Sequence, residues 1–143
     1  MQTFLPVPDC LDSARILDKR RCWKQVVETS QILKILLAER AGLVQVGKLP
    51  WANHPAVRMW RGFESFLVCY YNVFWTYCVE VHKIKVSKLQ KKENLFGATP
   101  NPEWFGDERL HASHRSNLLR KNKEFYSKYN WLEDDSLPYF WPK

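Results

Sequence analysis

Apolar side chains recur every three or four positions through residues 12 to 41, which is the spacing of one face of an α-helix. This set comprises Ile16, Trp23, Val26, Val27, Leu33, Leu36 and Leu37. Asp9, Asp12 and Ser13 lie at its start and are residue types that cap helices, and Gly42 follows its end. The pattern therefore predicts a first helix over residues 12 to 41.

A second apolar segment, residues 51 to 83, is rich in aromatic side chains. Asn53 suits an N-cap, and Pro55 then falls in the first turn, where its missing N–H leaves no helical bond unmade. The rings occupy nearly every side of the predicted helix, which is typical of a helix buried in the core. They are Trp60, Phe63, Phe66, Tyr70, Tyr71, Phe74, Trp75 and Tyr77. The segment predicts a long central helix.

The remaining segments predict one more helical region between two irregular ones. Residues 87 to 107 contain glycines and prolines typical of an extended connection, and residues 107 to 129 predict a third helix or a pair of short helices. The tail LPYFWPK, residues 137 to 143, is apolar but bounded by prolines, so we expect it to lie irregularly across the body. The expected fold is all-α, with residues 1 to 143 in one compact domain that has a long buried central helix and an irregular aromatic C-terminal tail.

The charge of the chain indicates an anionic partner. The 143 residues include 22 Lys and Arg against 15 Asp and Glu, for a net charge of +7. The basic residues cluster in RILDKRRCWK (residues 15 to 24), HKIKVSKLQKK (82 to 92) and RLHASHRSNLLRKNK (109 to 123). Such clusters favour nucleic acid over an anionic membrane surface, and the alternative is a soluble domain that is merely basic.

The cysteines and the apolar runs limit the cellular setting. Cys10, Cys22, Cys69 and Cys78 form no C-x-x-C pair of the kind found in zinc or redox sites, so we interpret them as reduced, mostly buried thiols. No signal-peptide pattern opens the chain. The uncharged run from residue 65 to residue 79 is shorter than the roughly 20 residues that span a membrane. We expect an intracellular protein of the cytoplasm, nucleoid or nucleus that is neither secreted nor membrane-bound.

One face of the predicted first helix carries groups suited to catalysis. Asp18, Arg21, Gln25 and Glu28 follow one another at spacings of three or four, which places them in one stripe. Two carboxylates and a guanidinium can serve acid/base chemistry beside an anionic oxygen. The alternative is a solvated helix face with an ion pair between Lys24 and Glu28.

The third basic block contains His111 and His114 in an H-x-x-H arrangement. No third ligand for zinc is apparent, so we expect no metal site. With Arg115 and Asn117, the histidines are expected either to bond phosphate or to organise a pocket beneath it. His54, just before Pro55, is interpreted as either a helix-start hydrogen-bonding residue or a functional one.

Five segments carry a resemblance to a known family. They are TFLPVPD (residues 3 to 9), LDKRRCWKQVVETSQIL (17 to 33), WANHPAVRMWRGFE (51 to 64), GDERLHASHRSNLLRK (106 to 121) and LPYFWP (137 to 142). Together they resemble the bacterial and viral pyrimidine dimer DNA glycosylases, distant relatives of phage endonuclease V. The resemblance implies an all-helical fold and a chemistry that uses no metal or cofactor: a primary amine breaks a DNA N-glycosidic bond, and the resulting imine leads to strand cleavage. It implies a DNA substrate with damaged bases, which we expect a monomer to bind.

The resemblance also implies a nucleophile. In the phage enzyme, the nucleophile is the α-amine exposed when the initiator methionine is removed. Gln2 is large, so we expect Met1 to be retained and its own α-amine to be the nucleophile. A lysine such as Lys24 is the alternative.

The family's catalytic glutamate falls on Cys22 when the shared leucine pattern sets the register. Asp18 and Glu28 are then the candidate replacements, and Arg21 keeps the position of an arginine beside the catalytic glutamate.

A further set of residues is expected to contact DNA. It consists of Lys24, Gln25, His54, His111, His114, Arg115, Asn117, Arg120, Lys121, Tyr126 and Trp131. The functional alternative to the enzyme is a helical nucleic-acid-binding module that has the same scaffold without the chemistry.

Overall fold

The computed structural model describes residues 1 to 143 and contains helices without any strand. The helices are α1 (Cys10–Ile16), α2 (Lys19–Arg40), α3 (Pro55–Arg58), α4 (Glu64–Glu80), α5 (Glu108–Lys121) and α6 (Lys123–Tyr126), followed by one 3₁₀ turn (Ser127–Tyr129). The predicted all-α fold is therefore confirmed. None of the helices has both the length and the apolar composition needed to cross a bilayer.

The predicted first helix is in fact two helices, α1 and α2. The backbone is extended at Leu17 and Asp18, and the Asp18 carboxylate accepts a hydrogen bond from the Arg21 amide at 3.4 Å as the N-cap of α2. Leu17 is buried, so the apolar pattern continues across the break. The prediction of one helix over residues 12 to 41 was wrong because an aspartate that caps a helix competes with helix continuation.

The second predicted helix is also divided, into α3 and α4. Gly62 has a φ of +94°, a left-handed conformation that glycine adopts without steric cost, and it lies in the turn between the two helices. The N-cap of α3 is His54, whose Nδ1 accepts from the Ala56 amide at 3.0 Å. Asn53 instead donates to the Gly47 carbonyl, so the prediction that Asn53 is the N-cap was wrong. The helix-start interpretation of His54 is confirmed.

Helix α4 is the central buried helix, as predicted. It packs against α1 and α2, and Tyr70, Tyr71 and Phe74 on it are fully buried. The polar ends of its rings bond the connection that follows: the Tyr71 hydroxyl donates to the Gln90 carbonyl at 2.7 Å, and the Trp75 indole donates to the Leu89 carbonyl at 2.8 Å. The helix therefore organises both the core and the irregular segment before α5.

The C-terminal tail, residues 130 to 143, is irregular, as predicted for residues 137 to 143, and it lies along α5. Two serines of α5 accept hydrogen bonds from its backbone: Ser116 from the Leu137 amide at 3.0 Å and Ser113 from the Phe140 amide at 3.1 Å. These bonds bring the tail close to the first residues of the chain, where the Phe4 and Tyr139 ring centroids lie 6.2 Å apart.

Candidate active site

The first residues of the chain form a buried strand-like segment whose hydrogen bonds go to side chains. Residues 2 to 6 are all buried, yet they belong to no helix or sheet. Buried backbone groups need partners, and here three helices supply them. Helix α5 supplies the partners of both Leu5 backbone groups. The Leu5 amide donates to Nδ1 of His114 at 2.9 Å, and the Leu5 carbonyl lies 2.7 Å from Nδ1 of His111.

These contacts fix the tautomers of the two histidines. Nε2 of His111 accepts from the Gly106 amide at 3.0 Å, so its Nδ1 carries the proton and donates to the Leu5 carbonyl. His114 has the opposite arrangement, because its Nδ1 accepts and its buried Nε2 has no partner. Burial lowers the pKa of His114 to about 3 and also lowers that of His111. Both imidazole rings are therefore uncharged at neutral pH, and both hold the Leu5 backbone in place through hydrogen bonds.

Helices α2 and α4 hold the residues before Leu5. The Phe4 amide donates to Oε1 of Gln25 at 2.9 Å, and the Tyr70 hydroxyl donates to the Phe4 carbonyl at 2.8 Å. The Trp60 indole donates to Oγ1 of Thr3 at 3.0 Å. Because Gln25 is 1% exposed and occupied in this way, it supports the segment and does not meet the DNA contact expected of it.

The segment ends beside Glu28 of α2. The Gln2 amide donates to Oε2 of Glu28 at 3.0 Å, and Oε1 of the same carboxylate lies 3.8 Å from Nζ of Lys24. Met1 is the next residue outward and is only partly buried. The chain therefore places its first residue at a carboxylate, and the expected ion pair between Lys24 and Glu28 is present as well.

A cavity of about 370 Å³ opens at this point. It is lined by Met1, Gln2, Phe4, Arg20, Arg21, Lys24, Gln25, Glu28, Lys121 and Tyr139. Four of these side chains are cationic, and Glu28 is the single carboxylate among them. Burial lowers the pKa of Lys121, and the charges of Lys24 and Arg21 lower it further. Such a positive field favours an anionic ligand such as a phosphate.

Asp18 is not among the residues that line the cavity. Its carboxylate accepts from the Arg21 guanidinium at 3.3 Å and from the hydroxyl of Tyr126. Tyr126 is fully buried, and burial followed by the bond to Asp18 raises its pKa. Of the two candidate carboxylates, Glu28 therefore lines the cavity, whereas Asp18 caps α2 and joins it to α6. The stacking expected of Tyr126 on DNA bases does not fit its burial.

Cys22, the position that the family register gives to the catalytic glutamate, is in the core. It is fully buried, and its Sγ lies 3.1 Å from Sγ of Cys78 between α2 and α4. Glu28, almost two turns later, is the acidic residue that α2 presents to the first residues of the chain.

Several polar residues of α5 expected at the DNA surface lie inside the protein. His111, His114 and Asn117 are buried, and Asn117 donates to the Ser113 and Leu137 carbonyls. Each of these side chains bonds protein backbone, so a contact with DNA at the surface does not fit their burial. The other expectation for the histidines, that they organise a pocket, fits their contacts and stays a prediction.

Arg115 is 11% exposed and also bonds within the protein. Its guanidinium donates to Glu133 at 2.6 Å, to the Pro6 carbonyl at 2.8 Å, and to Glu108. This network ties α5 to the tail and to the first residues, so the phosphate contact expected of Arg115 does not fit the structure.

The other expected contacts remain at the surface. Arg120 and Lys121 are exposed at the end of α5, and Arg120 donates to the Asp135 carbonyl at 3.1 Å. The half-buried Trp131 stacks on Tyr129 with centroids 5.2 Å apart. These side chains are available to a partner that approaches the end of α5.

His54 does not line the cavity, but Trp141 links it to Tyr139, which does. Its imidazole lies between the rings of Trp51 and Trp141, at centroid distances of 5.8 and 5.9 Å. Burial and then the positive charge of the α-amine of Met1 lower the pKa of His54, whereas Glu28 raises it. The pKa of His54 therefore depends in part on two charged groups of the cavity, the α-amine of Met1 and the carboxylate of Glu28.

Sequence reasoning missed Gln2, Phe4, Arg20 and Tyr139 as cavity residues. Arg20 lies within the basic block that the sequence singles out, so its cluster was a usable signal. Tyr139 carries no such signal, because only the docking of the tail brings it to Phe4.

A comparison with protein families matches the first three fifths of the chain to one of them. The model of the family described as pyrimidine dimer DNA glycosylase matches residues 1–85. The chain belongs to this family. At the family level the pyrimidine dimer DNA glycosylases act on DNA that contains pyrimidine dimers, which agrees with the cationic cavity. The match includes Met1, Arg21, Lys24 and Glu28, and ends before α5. Searches of curated proteins and of solved structures found no match.

Proposed function

We propose that the protein is a monomeric, single-domain DNA glycosylase and abasic-site lyase that acts on damaged pyrimidines through the α-amine of Met1, without a metal or cofactor. The observation that carries this proposal is the buried path of residues 2 to 6, which ends at a cavity lined by Met1 and Glu28. The side-chain partners of the Gln2, Phe4 and Leu5 amides fix this path, so the chain holds Met1 at the cavity.

An α-amine is a suitable nucleophile at neutral pH. Peptide α-amines ordinarily have a pKa of about 7.7 to 8.0, against about 10.4 for lysine side chains, so far more of an α-amine is in the free-base form. In the proposed reaction the nitrogen attacks C1′ of the damaged nucleotide, and the bond from C1′ to the base breaks. The base leaves with a proton, the nitrogen gives up a proton, and opening of the sugar ring produces an imine. Loss of a proton from C2′ then eliminates the 3′ phosphate.

Glu28 is the proposed acid/base residue for these proton transfers. Its Oε2 holds the first peptide group through the Gln2 amide, so the carboxylate also sets the position of Met1. General acid/base catalysis contributes typically about 10²- to 10⁴-fold to an enzymatic rate. Asp18 is less suited to these proton transfers, because its carboxylate oxygens bond Arg21 and Tyr126 and it does not line the cavity.

The cationic side chains of the cavity are proposed to hold the phosphates of the damaged strand. Arg20, Arg21 and Lys24 extend from one face of α2, and Lys121 extends from the end of α5 across the cavity. A base inside a duplex must leave the stack before an enzyme reaches its sugar. Phosphates gripped on two sides of the cavity would hold the distorted strand in place while this happens.

Reductive trapping tests the proposal. Borohydride added during turnover on an abasic duplex in EDTA converts an imine into a stable covalent bond, and peptide mapping then identifies the amine. The expected adduct is on the N-terminal peptide, with strand cleavage in the absence of added metal. An adduct on Lys24 or Lys121 would contradict the assignment of Met1. Duplex binding with neither cleavage nor adduct would favour the non-catalytic binding module.

A further inference from the structure

Trp51 is an exposed residue with an unfavourable backbone conformation. It lies in the turn that leads into α3, its φ is +69°, and its side chain is 63% exposed. A bulky residue rarely adopts this left-handed conformation, which glycine adopts freely. The turn itself is held by the Trp51 carbonyl, which accepts from the His54 amide at 2.9 Å. Packing of the indole does not offset the strain, since most of the ring faces solvent, and this combination is typical of a functional position.

The Trp51 ring is the outer end of a row of aromatic side chains that starts at the cavity. Tyr139 lines the cavity, and its centroid lies 5.5 Å from that of Trp141. Trp141 contacts His54 at 5.9 Å, and His54 contacts Trp51 at 5.8 Å. We call these four side chains the aromatic row. It joins the α2–α3 connection to the tail, and it runs from the proposed nucleophile to the protein surface.

The middle of the aromatic row is fixed in place. Nδ1 of His54 accepts the Ala56 amide at the start of α3, which prevents rotation of the imidazole. Trp141 in turn connects His54 to Tyr139 in the cavity that Met1 also lines. Trp51 therefore presents its ring from a rigid support at the rim of the site.

We propose that Trp51 is a stacking platform for an unpaired base of the damaged duplex. The inference rests on the proposed function, because a nucleotide that leaves the stack for the cavity leaves its former pairing partner exposed. The Trp51 ring offers a flat apolar face without a charge of its own, which suits a nucleobase and not a phosphate. Stacking on an aromatic side chain is largely independent of base identity, so the platform would accept any base opposite the lesion.

A glycine substitution separates this role from a structural one. Trp51→Gly removes the ring and relieves the backbone strain, so thermal stability should be unchanged or higher. Its affinity for a duplex with an uncleavable tetrahydrofuran abasic analogue should fall about 10-fold, the size of one lost stacking contact. Affinity for the intact duplex should change less than about 3-fold, because phosphate contacts dominate that binding. Trp51→Phe should retain most of the preference, and Leu43→Ala, which removes an exposed side chain of the same connection, should retain all of it.

A fluorescent base gives a direct readout of stacking. With 2-aminopurine opposite the abasic analogue, the wild-type protein should quench the fluorescence by stacking, and Trp51→Gly should not. If Trp51→Gly kept both the quenching and the preference for the abasic duplex, this inference would be wrong and the proposed function would stand. Equal losses on both duplexes together with lower stability would also overturn it. A wild-type protein without any preference would overturn the proposed function as well.

Discussion

The backbone amide of Gln2 donates a hydrogen bond to the carboxylate of Glu28 across 3.0 Å, and it joins positions 26 residues apart in the sequence. This contact makes the position of the first peptide group depend on a side chain of α2. Glu28 also lines the cavity, so in the proposed reaction one carboxylate would both orient the α-amine and exchange protons at the sugar.

We predict that Glu28→Gln lowers the single-turnover cleavage rate about 100-fold or more, because the amide keeps the shape of the side chain but cannot act as a base. Affinity for the duplex should be nearly unchanged. The rate is measured with enzyme in excess over an abasic duplex in EDTA.

Asp18→Ala is the matched control for that change, since Asp18 lies on the same helix. Loss of the α2 N-cap should lower the free energy of unfolding by about 1 kcal/mol while the cleavage rate of the folded protein stays the same. A larger loss of rate in Asp18→Ala than in Glu28→Gln would reverse the assignment.

We predict that the protein becomes less stable as the pH falls below about 6.5, in part because of His114. Burial, the largest cause, keeps its folded pKa near 3, whereas the unfolded chain takes up a proton near pH 6.5. The unfolded state therefore binds more protons between these values, and this one group removes about 1.4 kcal/mol of stability per pH unit. Urea unfolding at pH 7 and pH 5 measures the difference.

His114→Asn is the control for this pH effect. The asparagine oxygen can accept the Leu5 amide in place of Nδ1, but it does not titrate. The variant should therefore show a weaker decline between pH 7 and pH 5 than the wild type. An identical decline in both proteins would show that other groups cause it.

We predict different effects from two basic residues. Arg115→Ala leaves Glu133 and the Pro6 carbonyl without their cation, so it should lower the free energy of unfolding by about 3 kcal/mol. Lys88 is exposed and has no ion pair, so Lys88→Ala should weaken binding to any duplex without changing stability or the chemical step. Denaturant unfolding and fluorescence anisotropy measure the two effects, and similar stability losses in both variants would argue against the network at Arg115.

We predict a strong salt dependence of DNA binding. If the cations of the cavity and of the exposed basic segments neutralise roughly five phosphates, the logarithm of the affinity should fall against the logarithm of the salt concentration with a slope of about −4 or steeper. Titrations between about 50 and 200 mM salt measure this slope. A slope near −1 would be incompatible with a phosphate-holding cavity.

The helical class and the main cavity residues were predictable because they depend on spacing along one helix. Arg21, Lys24 and Glu28 lie on neighbouring turns of α2, so their positions in the sequence already place them together. The break at Asp18 was not predictable from apolar periodicity, since Leu17 continues the pattern into the core.

The interior of the site depends on contacts between distant segments, which periodicity does not report. His111 and His114 look like surface residues of a basic helix, yet both face inward because the Leu5 backbone requires a donor and an acceptor there. Trp51 and Tyr139 meet the site only through the turn before α3 and the docking of the tail.

The hydrogen bonds from α5 to the Leu5 backbone limit when the first residues of the chain can finish folding during synthesis. His114 is synthesised 109 residues after the amide that it binds, so the Leu5 amide lacks this partner while most of the chain leaves the ribosome. Helices α2 and α4 can pack and bond the Gln2 and Phe4 backbone during this period, but the Leu5 backbone is held only once α5 arrives. The path of residues 2 to 6 is thus completed only when the last helices have folded, and we expect the proposed amine chemistry to be confined to finished molecules.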